Sequence, residues 1–315
     1  MTIELADQPV FKLGIDAGSC RFEVRLNDVP ILASDVALPY DVEFPVSEWI
    51  VHGPNRLAAV VEPPPVFDDD GEELEALERF EPKQSALRLT LSVKRNGAPA
   101  DQRQTMTTLE FAARTGVARR DDVERAIESS AEGGRLDSTR GFVRDDAQWD
   151  VIVSGVDFEV DDEPPHGVFM RRDIGMASPF PQWAWLGGES ITDDDATRIA
   201  LLAEYRRVWG LLQARNVAAV EQLFSLKATE YRAAYYLDDD QLRDALPVVD
   251  LMQADELTLQ PFETDVELEV FGDGRLARLV DDEGDSPILM LSADGVAYYV
   301  GLTYCRIDGR WQLVR

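Results

Sequence analysis

Few side chains in this 315-residue chain are of the types that perform catalysis or hold metal ions. It has two histidines, His52 and His166, and two cysteines, Cys20 and Cys305. Each histidine lies beside a proline-containing turn sequence, which predicts a loop position for both. A zinc site needs more histidines or closely spaced cysteines, and no Gly-x-Ser-x-Gly nucleophile sequence or phosphate-binding glycine motif is present. The sequence therefore predicts no catalytic residue, no metal and no cofactor.

Carboxylates are the abundant reactive groups. The chain has 60 Asp and Glu against 31 Lys and Arg, a formal charge of −29. Nucleic acid and anionic membrane surfaces are excluded as partners, because both attract cationic proteins. A calcium loop is excluded as well: with Gly71 as the sixth position, the first and twelfth ligands would be Val66 and Leu77. The expected partner is instead a cationic protein, attracted by complementary charge.

The negative charge is spread along the chain rather than gathered in a tail. Residues 1–189 hold 36 acids and 19 bases, and residues 190–315 hold 24 and 12. The acidic peaks at 193–195 and 238–240 coincide with predicted helix starts, whereas those at 68–81 and 157–163 have no such local explanation. These two loops are the predicted partner-binding sites, with the candidate residues Asp68, Asp69, Asp70, Glu72, Glu73, Asp161, Asp162 and Glu163.

The first half of the chain is predicted to form strands. Apolar residues recur at every second position over 20–26, 42–46 and 87–94, which is the period of a half-buried strand. Asn27-Asp28 and Asn96-Gly97 are turn sequences, and Gly53-Pro54-Asn55 is predicted to interrupt the strands. Short strands separated by turns favour an antiparallel β-sandwich. A short helix at 121–132 and a further strand at 149–160 are also predicted.

The second half is predicted to begin with helices. Thr192 and the following aspartates resemble a helix start, and Ile199, Leu202, Tyr205, Trp209 and Leu212 form an apolar stripe at helical spacing. Asn216 interrupts this helix, and Asp238 with Gln241 resembles the N-cap of a third helix, which would run toward Val249.

A five-stranded antiparallel meander is predicted to follow these helices. Its strands are expected at about 264–271, 275–281, 287–292, 296–305 and 310–314. Three Asp-Gly pairs, at 273–274, 294–295 and 308–309, predict tight type I′ turns. The whole chain is therefore predicted to be α+β.

Composition places a domain boundary near the middle of the chain. The segment 176–190 holds several prolines and glycines together with Trp183 and Trp185. We predict a β-sandwich domain with acidic loop insertions over 1–175, a linker over 176–190 and an α+β domain over 191–315.

Both cysteines lie in strand-like sequence and are predicted to be buried free thiols. Residues 1–12 lack the apolar stretch of a secretion signal, and no run of 18 apolar residues occurs, so we expect a cytoplasmic protein.

Residues 190–315 resemble the nuclear transport factor 2-like, or SnoaL-like, cone fold. The resemblance rests on the element order, the aromatic helix stripe and the closing sequence Tyr304-Cys-Arg-Ile-Asp-Gly-Arg-Trp-Gln-Leu-Val314. It implies helices packed on a curved antiparallel sheet. Members with isomerase or dehydratase activity carry an acidic base and oxyanion donors inside the cone, and no such motif can be matched here. The first half, with Asn27-Asp28 and residues 49–55, is similar to β-sandwich modules of larger bacterial proteins.

Two functions are consistent with these patterns. The first is a non-enzymatic acidic binding protein, for example an immunity-type inhibitor that masks the basic surface or active site of a bacterial toxin. The alternative is a cone-fold enzyme or small-ligand binder with a pocket in the second domain. Its candidate pocket residues are Tyr205, Trp209, Tyr235, Asp265 and Tyr298.

Overall fold

The structure is a computed structural model that describes residues 7–68, 71, 84–112 and 168–315. The chain divides between Phe180 and Pro181 into two compact units, called here the N-terminal and C-terminal units. The described part of the N-terminal unit consists mainly of strands, and helices followed by strands form the C-terminal unit. The predicted α+β class is confirmed at this level. The helix predicted at 121–132 and the strand predicted at 149–160 lie outside the described residues.

Two antiparallel sheets form the described part of the N-terminal unit. Their orders are β4-β1-β6-β7 and β3-β2-β5-β8. Alternate residues of β1 and β2 are buried, as their sequence period predicts. The strands are β1 (Pro9–Gly18), β2 (Arg21–Leu26), β3 (Val29–Ser34), β4 (Tyr40–Pro45), β5 (Gly53–Glu62), β6 (Ala86–Arg95), β7 (Gln104–Ala112) and β8 (Val168–Met176).

The predicted interruption at Gly53-Pro54-Asn55 is wrong, because β5 begins at Gly53. Pro54 pairs with Gly175 of β8 but lies beyond the part of β5 that pairs with β2, so its missing N–H removes no bond on that side. Asn55 is buried, and its side chain donates to the carbonyl of Val51 and accepts from the amide of Val51. The polar groups that suggested a loop are thus satisfied beside the sheet.

Four helices open the C-terminal unit: α1 (Asp195–Gln213), α2 (Val217–Tyr235), α3 (Asp239–Ala245) and α4 (Val248–Gln253). The predicted cap of α3 is confirmed, whereas α1 is capped by Asp194 rather than beginning at Thr192. Asp194 accepts from the amide of Thr197 at 2.8 Å. Asp238 and Gln241 form a complete capping box, in which each side chain accepts from the other residue's amide. The third helix ends earlier than predicted, at Ala245.

The strands of this unit form two sheets rather than one meander. Their orders are β10-β11-β14-β15 and β13-β12-β9. The predicted strand 296–305 is in fact two strands, β13 and β14, because the chain leaves one sheet after Tyr299 and enters the other at Tyr304. The strands are β9 (Leu257–Leu259), β10 (Glu267–Phe271), β11 (Leu276–Val280), β12 (Leu289–Ser292), β13 (Ala297–Tyr299), β14 (Tyr304–Ile307) and β15 (Arg310–Leu313).

The three Asp-Gly pairs form three different turns. Asp308-Gly309 is the predicted two-residue hairpin: both residues have positive φ angles, and Ile307 pairs with Arg310. Asp273 and Gly274 also have positive φ angles, and the amide of Arg275 donates to the carbonyl of Gly272 across them, but they lie inside a four-residue loop. At 294–295 only the glycine has a positive φ angle, 85°. The predicted pair of positive φ angles is therefore confirmed at 273–274 and 308–309, and the two-residue hairpin at 308–309.

A buried ion pair joins separate segments of the C-terminal unit. Glu230 on α2 accepts from the guanidinium of Arg315, and its other oxygen accepts from the amide of Ala184 at 2.6 Å. Only 6% of Glu230 and 5% of Arg315 is exposed. The guanidinium also lies 5.3 Å from the ring centre of Trp183, which is itself buried.

Both cysteines are buried and free, as the sequence predicts. Burial raises the pKa of Cys20 to about 11 and that of Cys305 to about 12. Cys20 belongs to the N-terminal unit and Cys305 to the C-terminal unit. Among the helices that the structure describes, none is both long and apolar enough to cross a membrane.

Candidate functional site: an acidic groove in the C-terminal unit

A concave surface of the C-terminal unit is lined largely by carboxylates. The cavity has a volume of about 690 Å³. We call it the acidic groove. Its six acidic residues are Glu263, Asp265, Glu267, Asp281, Asp282 and Glu283. The remaining lining residues are Gln260, Pro261, Ser286, Pro287, Leu289 and Tyr299.

Strand pairing brings the two acidic segments together. β10 and β11 form a hairpin closed at 272–275, so the start of β10 and the end of β11 meet at its open end. There Glu267 pairs with Val280. The segment before β10 carries Glu263 and Asp265, and the loop after β11 begins at Asp281. Residues that are well separated in sequence therefore line one groove.

Asp281 organises the loop on one side of the groove. Its carboxylate accepts from the amides of Glu283 and Asp285, at 3.1 and 2.8 Å. Its backbone N–H donates to the carbonyl of Asp285, and Gly284 has a φ angle of 83°, which a glycine adopts without strain. The loop is thus held by its own backbone, which leaves the exposed side chains of Asp282 and Glu283 beside the cavity.

Glu263 has a similar role on the opposite side. One of its carboxylate oxygens accepts from the amides of Thr264 and Asp265, at 2.7 and 2.9 Å. These backbone hydrogen bonds lower the pKa of Glu263, because they favour the charged form. The groove therefore keeps this negative charge even in mildly acidic solution.

The described residues around the groove include no side chain that neutralises its charges. No lining residue is Lys, Arg or His, and within the described part of the chain none of the six acids forms an ion pair. The described residues also contain no group of three potential ligands placed to hold one metal ion. The arrangement suits a ligand whose positive charges are spread over several groups, since the carboxylates do not converge on one point.

Tyr299 borders the acidic groove and also a smaller, largely apolar groove of about 210 Å³. The apolar groove is lined by Phe224, Lys227, Ala245, Leu246, Pro247, Val248, Leu251, Tyr299, Val300 and Gly301. Burial, and then a hydrogen bond to Asp285 and the negative charge of the 281–285 loop, raises the pKa of Tyr299. Acidic and apolar surfaces thus adjoin at this residue.

Of the two acidic loops predicted from sequence, the structure describes only a small part. Asp68 is half-buried, and its carbonyl accepts from the amide of Gly71 at 3.1 Å. The other candidates lie outside the described residues: Asp69, Asp70, Glu72, Glu73, Asp161, Asp162 and Glu163. His166 lies outside them too, while His52 is exposed at a bend, as predicted.

The five pocket candidates of the alternative hypothesis do not line one cavity. Tyr205 is buried in the core, and Trp209 is half-buried, with its indole N–H donating to the carbonyl of Gln260. Tyr235 packs against Tyr231, with ring centres 5.1 Å apart. Asp265 lines the acidic groove, and Tyr298 is exposed on β13.

The acidic groove as a whole was not predicted from sequence. In the sequence, Asp265 and Glu267 belong to one predicted strand, and the acidic run at 281–285 lies beyond the next strand. The missing step was the hairpin register. A loop centred on Asp273-Gly274 places residue 267 opposite residue 280, and this pairing alone would have joined the two acidic segments.

Comparison of the chain with protein families, with curated proteins and with solved structures gives no match in any of the three. The function is therefore argued from the geometry and charge of the described residues.

Proposed function

We propose that the protein is a non-enzymatic binding protein that engages a cationic protein partner, and that the acidic groove is a contact surface. The single observation that carries this is the set of six unneutralised carboxylates around one cavity. Like charges held close together repel one another, and lysine or arginine side chains entering the groove would relieve that repulsion. The overall charge of −29 would speed the encounter with such a partner.

A bacterial toxin is one concrete partner of this kind. An acidic inhibitor could cover the basic surface or active site with which a toxin acts on an anionic substrate. The groove supports this hypothesis by charge, because it offers anions at several separate points rather than a single ion site.

The proposal includes the finer fold assignments made from sequence. The order of helices followed by antiparallel strands supports a nuclear transport factor 2-like cone for the C-terminal unit. Two four-stranded antiparallel sheets with alternating buried residues support a β-sandwich for the N-terminal unit.

The enzyme hypothesis receives less support. The hydroxyl of Tyr205 already bonds to backbone groups in the core, and Asp265 faces an open acidic groove without a neighbouring cation. We therefore do not carry this function forward.

The proposal is tested with hexalysine as a defined cationic probe, by calorimetric titration of the full-length protein. The triple variant Glu267→Gln, Asp282→Asn, Glu283→Gln removes three groove charges. The matched control, Glu221→Gln, Asp240→Asn, Glu256→Gln, removes three exposed charges outside the groove. We expect the groove variant to weaken binding on the order of tenfold, and the control less than about threefold.

Salt provides the second criterion. Binding by charge should weaken steeply between low and high ionic strength, because the ions screen the carboxylates. If hexalysine fails to bind, or if both triple variants lose the same affinity, the groove is not the contact surface and the proposal is wrong.

A further inference from the structure

We propose that β13 is an open sheet edge to which an extended cationic segment of the partner adds as a further strand. This rests on the proposed function and specifies how the partner binds. The partner's backbone would pair with Ala297 and Tyr299, and lysine or arginine side chains at alternate positions would enter the acidic groove. The observations that carry it are the free edge of β13, the exposure of its side chains and its position beside the groove.

β13 uses only one of its two edges. Among the strands of residues 7–68, 84–112 and 168–315, it is the terminal strand of its sheet and pairs with β12 alone. The amide of Val300 donates to Ile288, and the carbonyl of Val296 accepts from Ser292. In an antiparallel ladder this alternation directs the backbone groups of Ala297 and Tyr299 away from β12. Within the described chain, no hydrogen bond engages the outward backbone groups of these two residues.

The side chains of β13 are also partly exposed to solvent. Among the strands whose burial the structure describes, it is the only one with every residue exposed. Val296, Tyr298 and Tyr299 are 47, 38 and 40% exposed. Edge strands are commonly protected by charged residues, prolines or bulges, and the sequence Ala-Tyr-Tyr has neither charge nor proline. Such an edge is a template for strand addition.

The groove determines the chemistry of the added strand. Tyr299 lies at the rim of the acidic groove, and an added strand would run about 4.8 Å from β13. Side chains on one face of a strand recur at every second residue, and Tyr299 is the β13 residue that lines the groove. A cation paired opposite Tyr299, and those at alternate positions toward the groove, would lie on the same face as the carboxylates. The long side chains of Lys and Arg span the remaining distance. The expected segment is extended and has a basic residue at every second position.

Charge argues against a second copy of this chain as the occupant. Two copies at −29 each repel one another, and no lining residue of the groove is cationic. The same negative electrostatic field that repels a second copy would attract a cationic segment.

The first test uses an acetylated, amidated hexapeptide in which lysine and threonine alternate. Two isomers carry N-methyl groups either on all lysine amides or on all threonine amides. Their charge is the same, but only one set of amides can face β13. We expect one isomer to bind on the order of tenfold more weakly than the parent peptide, and the other to stay within about threefold. Equal affinity of all three peptides would overturn the proposal.

The second test changes the protein at the edge. Ala297→Pro removes an outward N–H, a change that an edge strand tolerates, and Ala297→Thr is the matched control that keeps it. We expect Ala297→Pro to lower the affinity for the parent peptide by about tenfold and Ala297→Thr to leave that affinity nearly unchanged. Spermine, a polyamine without amides, should bind both variants like the wild-type protein. The N-methylated peptides keep the proposal testable even if Ala297→Pro disturbs folding.

The outcomes separate the two proposals. If spermine and the peptides all fail to bind, or bind independently of the groove acids, the proposed function is wrong. If spermine binding depends on the groove but Ala297→Pro leaves peptide affinity unchanged, strand addition alone is wrong. If sedimentation shows a wild-type dimer that Ala297→Pro dissociates, with peptide affinity unchanged, the edge pairs with a second copy and the proposal is overturned.

Discussion

The hydroxyl group of Tyr205 links α1 to two backbone segments of the C-terminal unit. It donates to the carbonyl of Leu302 at 2.6 Å and accepts from the amide of Leu279 at 3.1 Å. Burial raises the pKa of this tyrosine, so it stays neutral. Helical periodicity predicted that this residue lies on the apolar face of a helix, but it could not predict which backbone groups the hydroxyl would meet.

Tyr205→Phe should destabilise the C-terminal unit by about 1–3 kcal/mol, because it leaves a buried amide and a buried carbonyl without this partner. Chemical denaturation followed by circular dichroism measures the change. Tyr298→Phe is the control, since that side chain is exposed. Equal stability of the Tyr205 variant and the wild-type protein would show that these bonds contribute nothing net.

Tyr299 reports on the charge of the acidic groove. Its pKa is raised by burial and by the carboxylates of the 281–285 loop, since a negative tyrosinate is unfavourable beside them. Neutralising Glu283 and Asp285 as Gln and Asn should therefore move the pKa of Tyr299 down toward its ordinary value. Ultraviolet titration against a Tyr299→Phe reference isolates this group. An unchanged titration would mean that the carboxylates do not act on Tyr299.

At the scale of elements, the sequence predicted the cap of α3 but not the pairing of the strands. The capping box of Asp238 and Gln241 depends on residues three apart, and the structure confirms it. The division of the predicted strand 296–305 depends on which sheet each part joins, which no local pattern encodes. The prediction that Gly53-Pro54-Asn55 interrupts the strands is wrong for the same reason. Proline is acceptable there because β5 has no partner strand on one side at that point.

The ion pair between Glu230 and Arg315 offers a prediction at this scale, because it holds α2 to the chain beyond β15 and to the segment at Ala184. Glu230→Ala should destabilise the unit by about 3–5 kcal/mol, since it removes the carboxylate that balances the charge of a buried guanidinium. The double variant Glu230→Met, Arg315→Met should recover much of this. Asp255→Ala breaks an exposed pair with Arg215 and should cost at most about 1 kcal/mol. Thermal unfolding distinguishes the three, and a Glu230 variant as stable as the Asp255 variant would contradict the argument.

At the scale of the whole molecule, charge governs both attraction and repulsion. Lowering the pH from 7 toward the isoelectric point of about 4.3 protonates carboxylates and removes net negative charge. Hexalysine binding should weaken over this range, and self-association should increase as the repulsion between copies fades. Calorimetry and light scattering follow the two effects. Binding that strengthens as the pH falls would be incompatible with an anionic contact surface.

The two buried thiols supply a pair of built-in reporters, one in each compact unit. A thiol reagent reacts with the thiolate, and burial with a raised pKa keeps both Cys20 and Cys305 unreactive in the folded protein. Each becomes labelled only when its own unit opens. The labelling rates of the two cysteines, read separately by mass spectrometry, therefore give the opening of each unit within the intact chain, without any added probe.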